Sequence, residues 1–151
     1  MQRVWQMAEV SRSALLMYSA DEMYRLVNDV SAYPEFLPGC VAADIVSFSE
    51  DVMRAAVKVS KAGISQTFMT ENILIEGRSI TMNLVEGPFK HLSGGWVFTA
   101  LDEQACKVSL DLKFEFSSSL AGIAFGRVFN ELVSAMVKSF AARAKIVYGT
   151  R

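Results

Sequence analysis

The chain carries one histidine, His91, and two cysteines, Cys40 and Cys106. Any Ser-His-Asp or Cys-His arrangement must use His91. That histidine stands beside Lys90 in a segment, Gly87-Pro88-Phe89-Lys90-His91-Leu92, that reads as a Gly/Pro-rich surface loop. One imidazole and two distant thiols form no ligand cluster for a metal. Asp44, Glu71, Asp111 and Glu115 fall in strand-like sequence, mostly on its polar phase, and no spacing marks a general acid–base pair among them. Gly94-Gly95 precedes a strand rather than a helix, so it reads as a bulge or close-packing site and not as a phosphate cradle. The residue types that remain for function are apolar and aromatic. They concentrate in Tyr33-Pro34-Glu35-Phe36-Leu37-Pro38-Gly39-Cys40, in Trp96, Phe98, Phe114 and Phe116, and in Phe125 and Phe129. The chemistry they suit is binding of an apolar molecule.

The elements that must position these residues follow from periodicity. Residues 9–17 read as a strand. Ser19-Ala20-Asp21-Glu22 then forms a capping box, and Met23, Leu26, Val27 and Val30 recur at helical spacing. Pro34 and Pro38 stop any helix from running through the connector. From 41 to 117 the period is two, clearest where Val108, Leu110, Leu112, Phe114 and Phe116 alternate with Ser109, Asp111, Lys113 and Glu115. Turn signals at Ser49-Glu50-Asp51, Lys61-Ala62-Gly63, Glu76-Gly77-Arg78 and Asp102-Glu103-Gln104 divide this stretch into about six strands. Links this short favour antiparallel neighbours. After Ser117-Ser118-Ser119 comes a helix of about 28 residues, its apolar face marked by Phe125, Phe129, Leu132, Met136, Phe140 and Ala144, with Gly149 as C-cap. Gly122 and Gly126 weaken its start.

This order predicts an α+β domain, an antiparallel sheet with its helices on one face. One long helix cannot cover six or seven strands, so the sheet must curl, and curling leaves space for an apolar cavity. The inward phases place Phe36 and Leu37 of the connector, Trp96 and Phe98, and Phe125, Phe129, Leu132 and Met136 on its walls. Tyr33, Cys40 and Phe89 join them from the two Pro-containing segments.

Composition agrees with a single packed domain. The 151 residues are 52% hydrophobic and 21% charged, which excludes general disorder. No apolar run approaches the roughly 18 residues of a membrane span. Met1 to Met7 lacks the apolar core of a secretory signal and reads as an extension, 1–6, outside the domain. With no sign of export, both cysteines read as buried thiols in a reducing cytoplasm. The net charge is −1, but residues 119–151 carry Arg127, Lys138, Arg143, Lys145 and Arg151 against Glu131, a net of +4. That strip suits either helix solvation or an anionic partner.

The Tyr33–Cys40 stretch, together with Gly87-Pro88-Phe89-Lys90-His91-Leu92-Ser93-Gly94-Gly95-Trp96-Val97-Phe98, resembles the coenzyme Q-binding, START-like family. Lys58-Val59-Ser60-Lys61-Ala62-Gly63-Ile64-Ser65, Phe114-Glu115-Phe116 and Ala124-Phe125-Gly126-Arg127-Val128-Phe129 extend the resemblance from about Val10 to Tyr148. It implies a helix-grip fold, a curved antiparallel sheet around the C-terminal helix with an apolar tunnel between them. It also implies a non-enzymatic protein that binds ubiquinone or a similar polyprenyl lipid in support of respiration. The chain departs from the mitochondrial members at Gly39, where those typically carry Trp. A bacterial branch implies a second role, binding the large ribosomal subunit and blocking its joining to the small one. More distant polyketide cyclase relatives imply an enzyme, for which this chain lacks a marked acid–base set. No DNA partner and no resident cofactor are expected.

Overall fold

The structure, a computed structural model, describes residues 8–117 and 120–151, with side chains except those of 120–122. The expected 1–6 extension and the Ser118-Ser119 part of the serine break lie outside the described residues. In chain order the elements are β1 (Ala8–Leu16), α1 (Ala20–Asn28), a 3-10 helix (Val30–Glu35), β2 (Cys40–Ser49), β3 (Val52–Lys61), β4 (Ile64–Ile75), β5 (Ser79–Glu86), β6 (Phe89–Asp102), β7 (Ala105–Phe116) and α2 (Leu120–Tyr148).

All seven strands form one antiparallel sheet in the order β1-β7-β6-β5-β4-β3-β2. The expected turns are the observed ones. Glu50-Asp51, Ala62-Gly63 and Glu103-Gln104 each close a two-residue hairpin, with registers Ser49↔Val52, Lys61↔Ile64 and Asp102↔Ala105. One side of the sheet is wet. The other buries Met53, Ala55 and Val59 of β3, Leu92, Trp96 and Phe98 of β6, and Val108 to Phe114 in alternation along β7. Both helices pack on that inner side, since Phe98 meets Tyr24 of α1 and Trp96 meets Phe140 of α2.

At Gly94 and Gly95 of β6 the neighbouring strands approach closely. A Cβ at Gly94 would lie 2.1 Å from the Asp111 carbonyl oxygen on β7, and one at Gly95 would lie 2.1 Å from that of Ile80 on β5. The pair is therefore a close-packing site. The ladder shows no register shift there; the shifts in β6 fall at Phe89/His91 and Ala100/Asp102.

The capping box forms as expected: Glu22 N–H donates to Ser19 Oγ at 3.1 Å and Ser19 N–H to Glu22 Oε1 at 2.9 Å. α1 is shorter than its apolar spacing suggests. It ends at Asn28, and Val30 opens the 3-10 helix instead. Pro34, expected to stop a helix, instead lies inside this one. A proline disfavours α geometry at the residue before it, while a single tighter turn loses only one N–H donor. α2 buries Phe125, Val128, Phe129, Leu132, Val133, Val137, Phe140 and Ala144, with Met136 half-buried. It ends at Gly149, whose φ is +88° and whose N–H donates to the Lys145 carbonyl at 3.0 Å. Gly126 has a packing reason: a Cβ there would touch the Phe116 ring at 3.0 Å.

Candidate functional site

The inner face of the sheet, the connector and α2 enclose a cavity. Ala55 and Val57 of β3, Phe68, Thr70 and Asn72 of β4, Met82 of β5, Leu92 and Trp96 of β6 and Leu112 of β7 form its floor. Val30, Tyr33 and Leu37 form one wall, and Phe129, Leu132, Val133 and Met136 of α2 the roof. The cavity volume is ≈70 Å³. It exceeds the ~10–15 Å³ that one water needs, so the interior is incompletely filled but narrow.

Six of the expected residues line this space: Tyr33, Leu37, Trp96, Phe129, Leu132 and Met136. Five do not. Phe36 caps the 3-10 helix, which turns its ring onto Phe140 at 5.1 Å and beneath the Arg143 guanidinium at 5.0 Å. It therefore lines a separate outer groove with Arg25, Leu26, Asp29, Ala32, Arg143, Val147 and Tyr148. Phe98 lies farther along β6, where α1 covers the sheet, and is taken up by Tyr24 at 5.8 Å. Phe89 and Phe125 join Phe68, Phe114, Phe116 and Phe129 in an aromatic cluster, with ring centroids of Phe89–Phe129 at 4.9 Å and Phe89–Phe125 at 5.7 Å. Cys40 is buried under the connector, its N–H bonded to the Leu37 carbonyl and its thiol directed at the Ala42 carbonyl.

Tyr33 is the one ionisable side chain on the lining, among the described residues. Its hydroxyl donates to the Val27 carbonyl, one of the acceptors left open at the end of α1. Burial pushes the phenol well above its ordinary range. The proton is thus committed to a structural bond and is not available for acid–base work. Burial likewise raises the Cys40 thiol and lifts Cys106 to about 11, so neither is a ready thiolate.

His91 is not in a loop. It lies on β6, opposite Glu115, because the tight Gly87-Pro88 turn lets the strand begin at Phe89. Its Nε2 is 2.8 Å from Ser93 Oγ. Both residues are on the phase opposite Leu92 and Trp96, so this pair faces away from the cavity.

The residues that sequence reasoning missed are chiefly Thr70 and Asn72. They are the buried polar side chains among the described residues, 6% and 5% exposed, and the Thr70 hydroxyl donates to Asn72 Oδ1 at 2.8 Å. A signal existed. Phe68, Thr70, Asn72 and Leu74 alternate along one strand phase, and two polar residues interrupt an apolar face there.

Residues 16–141 match the family described as polyketide cyclase/dehydrase and lipid transport. This chain belongs to that family. Within it, the ribosome association toxin RatA of Vibrio cholerae serotype O1 is 61% identical over 143 residues, covering 95% of this chain and 99% of the relative. The mitochondrial coenzyme Q-binding protein COQ10 homolog B of Xenopus laevis is 29% identical, covering 93% of this chain and 59% of its own length. Among solved structures, the Zhui aromatase/cyclase of Streptomyces sp. R1128 superposes with a TM-score of 0.80 over 97% of this chain and 100% of the other, at 19% identity. That likeness shows the helix-grip, START-like fold, which the family shares across members with different names.

Proposed function

We propose that this protein is a ribosome association toxin of the RatA type, which binds the large ribosomal subunit and hinders its joining to the small one. The observation that carries this reading is 61% identity to a RatA protein along 95% of the chain. It reverses the order that the apolar content suggests, in which a ubiquinone carrier comes first, because the coenzyme Q-binding relative stands at only 29%. The setting of such a protein is the cytoplasm, and no helix among the described residues is long and apolar enough to cross a membrane.

A surface suited to ribosomal RNA supports it. Arg143 and Arg151 are engaged by Glu35 and Glu22, whereas Arg127, Lys138 and Lys145 are exposed and make no ion pair among the described residues. The spacings of 11 and 7 put these three along one side of α2, over about 27 Å by helical rise. Glu131 on that side is paired with Lys61 at 2.6 Å. The deciding experiment is co-sedimentation of the purified protein with isolated large subunits through a sucrose gradient. Association at low salt, with fewer joined ribosomes, is expected. A protein that stays at the top of the gradient at low salt overturns the reading.

A second reading, compatible with the first, is that the cavity holds an apolar small molecule without transforming it. Its support is the lining, which among the described residues offers no free acid or base. Ubiquinone is the ligand that the family resemblance suggests. Extraction of the purified protein with organic solvent followed by mass spectrometry tests this, and an empty extract counts against a resident lipid.

A further inference from the structure

We infer that the cavity selects a neutral, largely apolar ligand bearing a hydrogen-bond-accepting oxygen, and that the Asn72 side-chain amide, oriented by Thr70, is the group that recognises it. The inference rests on the second reading above, that the cavity holds a small molecule.

Asn72 lies on the inner face of β4, with Met53 of β3 and Met82 of β5 as its cross-strand partners. Neither offers more than a weak thioether acceptor. The Asn72 carbonyl oxygen is occupied by the Thr70 hydroxyl at 2.8 Å. The amide therefore keeps its two N–H donors, and they have no protein acceptor among the described residues. The side chain is 5% exposed and lines the cavity. The amide nitrogen is not one of the fully buried atoms left without a partner among the described residues, so its donors stay open to the cavity and not sealed in the packing. A leucine or valine would fill the same inward position and present no donor there. An acceptor on a bound molecule completes the set.

The rest of the lining narrows the class. Among the described residues no carboxylate, amine, guanidinium or imidazole faces the cavity, so a charged ligand would lose its hydration with no partner in return. Tyr33 has its proton committed to Val27 and does not compete as a donor. A ketone, quinone or ester oxygen on an apolar body satisfies these conditions; a pure hydrocarbon leaves the amide unpaired.

The test compares 2-acetylnaphthalene with 2-isopropenylnaphthalene, which share shape and differ in that a methylene replaces the carbonyl oxygen. Binding to the full-length protein is measured by calorimetry and referred to each compound's partition from water into cyclohexane. On that scale the ketone should bind about tenfold more tightly. Its carbonyl stretch in the infrared should move to lower frequency on binding. Asn72→Leu should bind the hydrocarbon at least as well, lose the preference and the infrared shift, and unfold no earlier than the parent. Thr70→Val, which keeps the shape and frees the amide to rotate, should reduce the preference part-way; it keeps the variant comparison available if Asn72→Leu folds poorly. Equal corrected affinities in the parent, or a preference retained in Asn72→Leu, overturn the role of Asn72 and leave the cavity reading standing. Failure of both probes to bind the parent overturns the cavity reading and this inference with it.

Discussion

At the scale of single residues, Phe129 has two surroundings at once. It is 2% exposed and meets Phe68, Phe89, Phe114, Phe116 and Phe125 at centroid distances of 4.9–5.9 Å, yet it also borders the cavity. Five ring contacts outweigh one open side, so Phe129→Ala should lower stability by about 3–5 kcal/mol in urea unfolding. A loss below about 1 kcal/mol would show that the ring is held by the ligand space and not by its neighbours. Glu22 offers a second case. The Arg151 guanidinium, bonded to both carboxylate oxygens at 2.7 and 2.9 Å, and the Ser19 amide hold its pKa at about 2, down from 4.5. A folded-state pKa lowered in this way contributes stability above pH 4.5 that disappears as the pH falls toward 2. Arg151→Ala should raise the Glu22 pKa in an NMR titration and flatten the loss of stability across that window. An unchanged titration would mean that Ser19 alone sets it.

At the scale of elements, α2 divides its duties by face. Its inner face supplies the roof of the cavity and two of the six rings of the aromatic cluster, Phe125 and Phe129. Its outer side carries Arg127, Lys138 and Lys145. If that side meets ribosomal phosphates, each contact removed lowers the slope of log affinity against log salt by about one. The variant Arg127→Ala/Lys138→Ala/Lys145→Ala should therefore show a slope shallower by up to about three in co-sedimentation over a salt series. The parent's slope in the variant would mean that these charges serve only to solvate the helix and complement its C-terminal dipole. The connector shows a different division. Its 3-10 turn sends Tyr33 and Leu37 to the cavity and Phe36 to the outer groove, so three neighbouring apolar residues serve two surfaces.

At the scale of the whole molecule, the cavity exists because one helix lies across a sheet too wide and too bent for it to fill. Within that sheet β5 and β7 approach β6 closely at Gly94-Gly95. Gly94→Ala puts a methyl group against the β7 backbone at a residue with φ of +135°, so the β6–β7 ladder must give way. It should cost at least about 1–3 kcal/mol and shift amide resonances along both strands. A variant as stable as the parent, with unchanged spectra, would show that the ladder accepts a side chain at this position.

Much of this was legible without coordinates. The seven strands, their turns and their inward phases follow from alternation, because side chains on a strand point to opposite faces whatever surrounds them. The capping box and the Gly149 end of α2 are local hydrogen-bonding solutions and were equally plain. Family membership lay in ordered motifs. Phase, however, assigns a residue to a face and not to a place on it. Trp96 and Phe98 share a phase, and only the crossing of α1 and α2 over β6 decides that one borders empty space while the other packs against Tyr24. Phe89 and Phe125 were inward as expected, but the meeting of six rings from β4, β6, β7 and α2 made them a cluster and not a lining. The place of Asn72 was decided in the same way: a polar residue on an inward phase has chemical meaning only once the fold shows that no neighbour among the described residues accepts its protons.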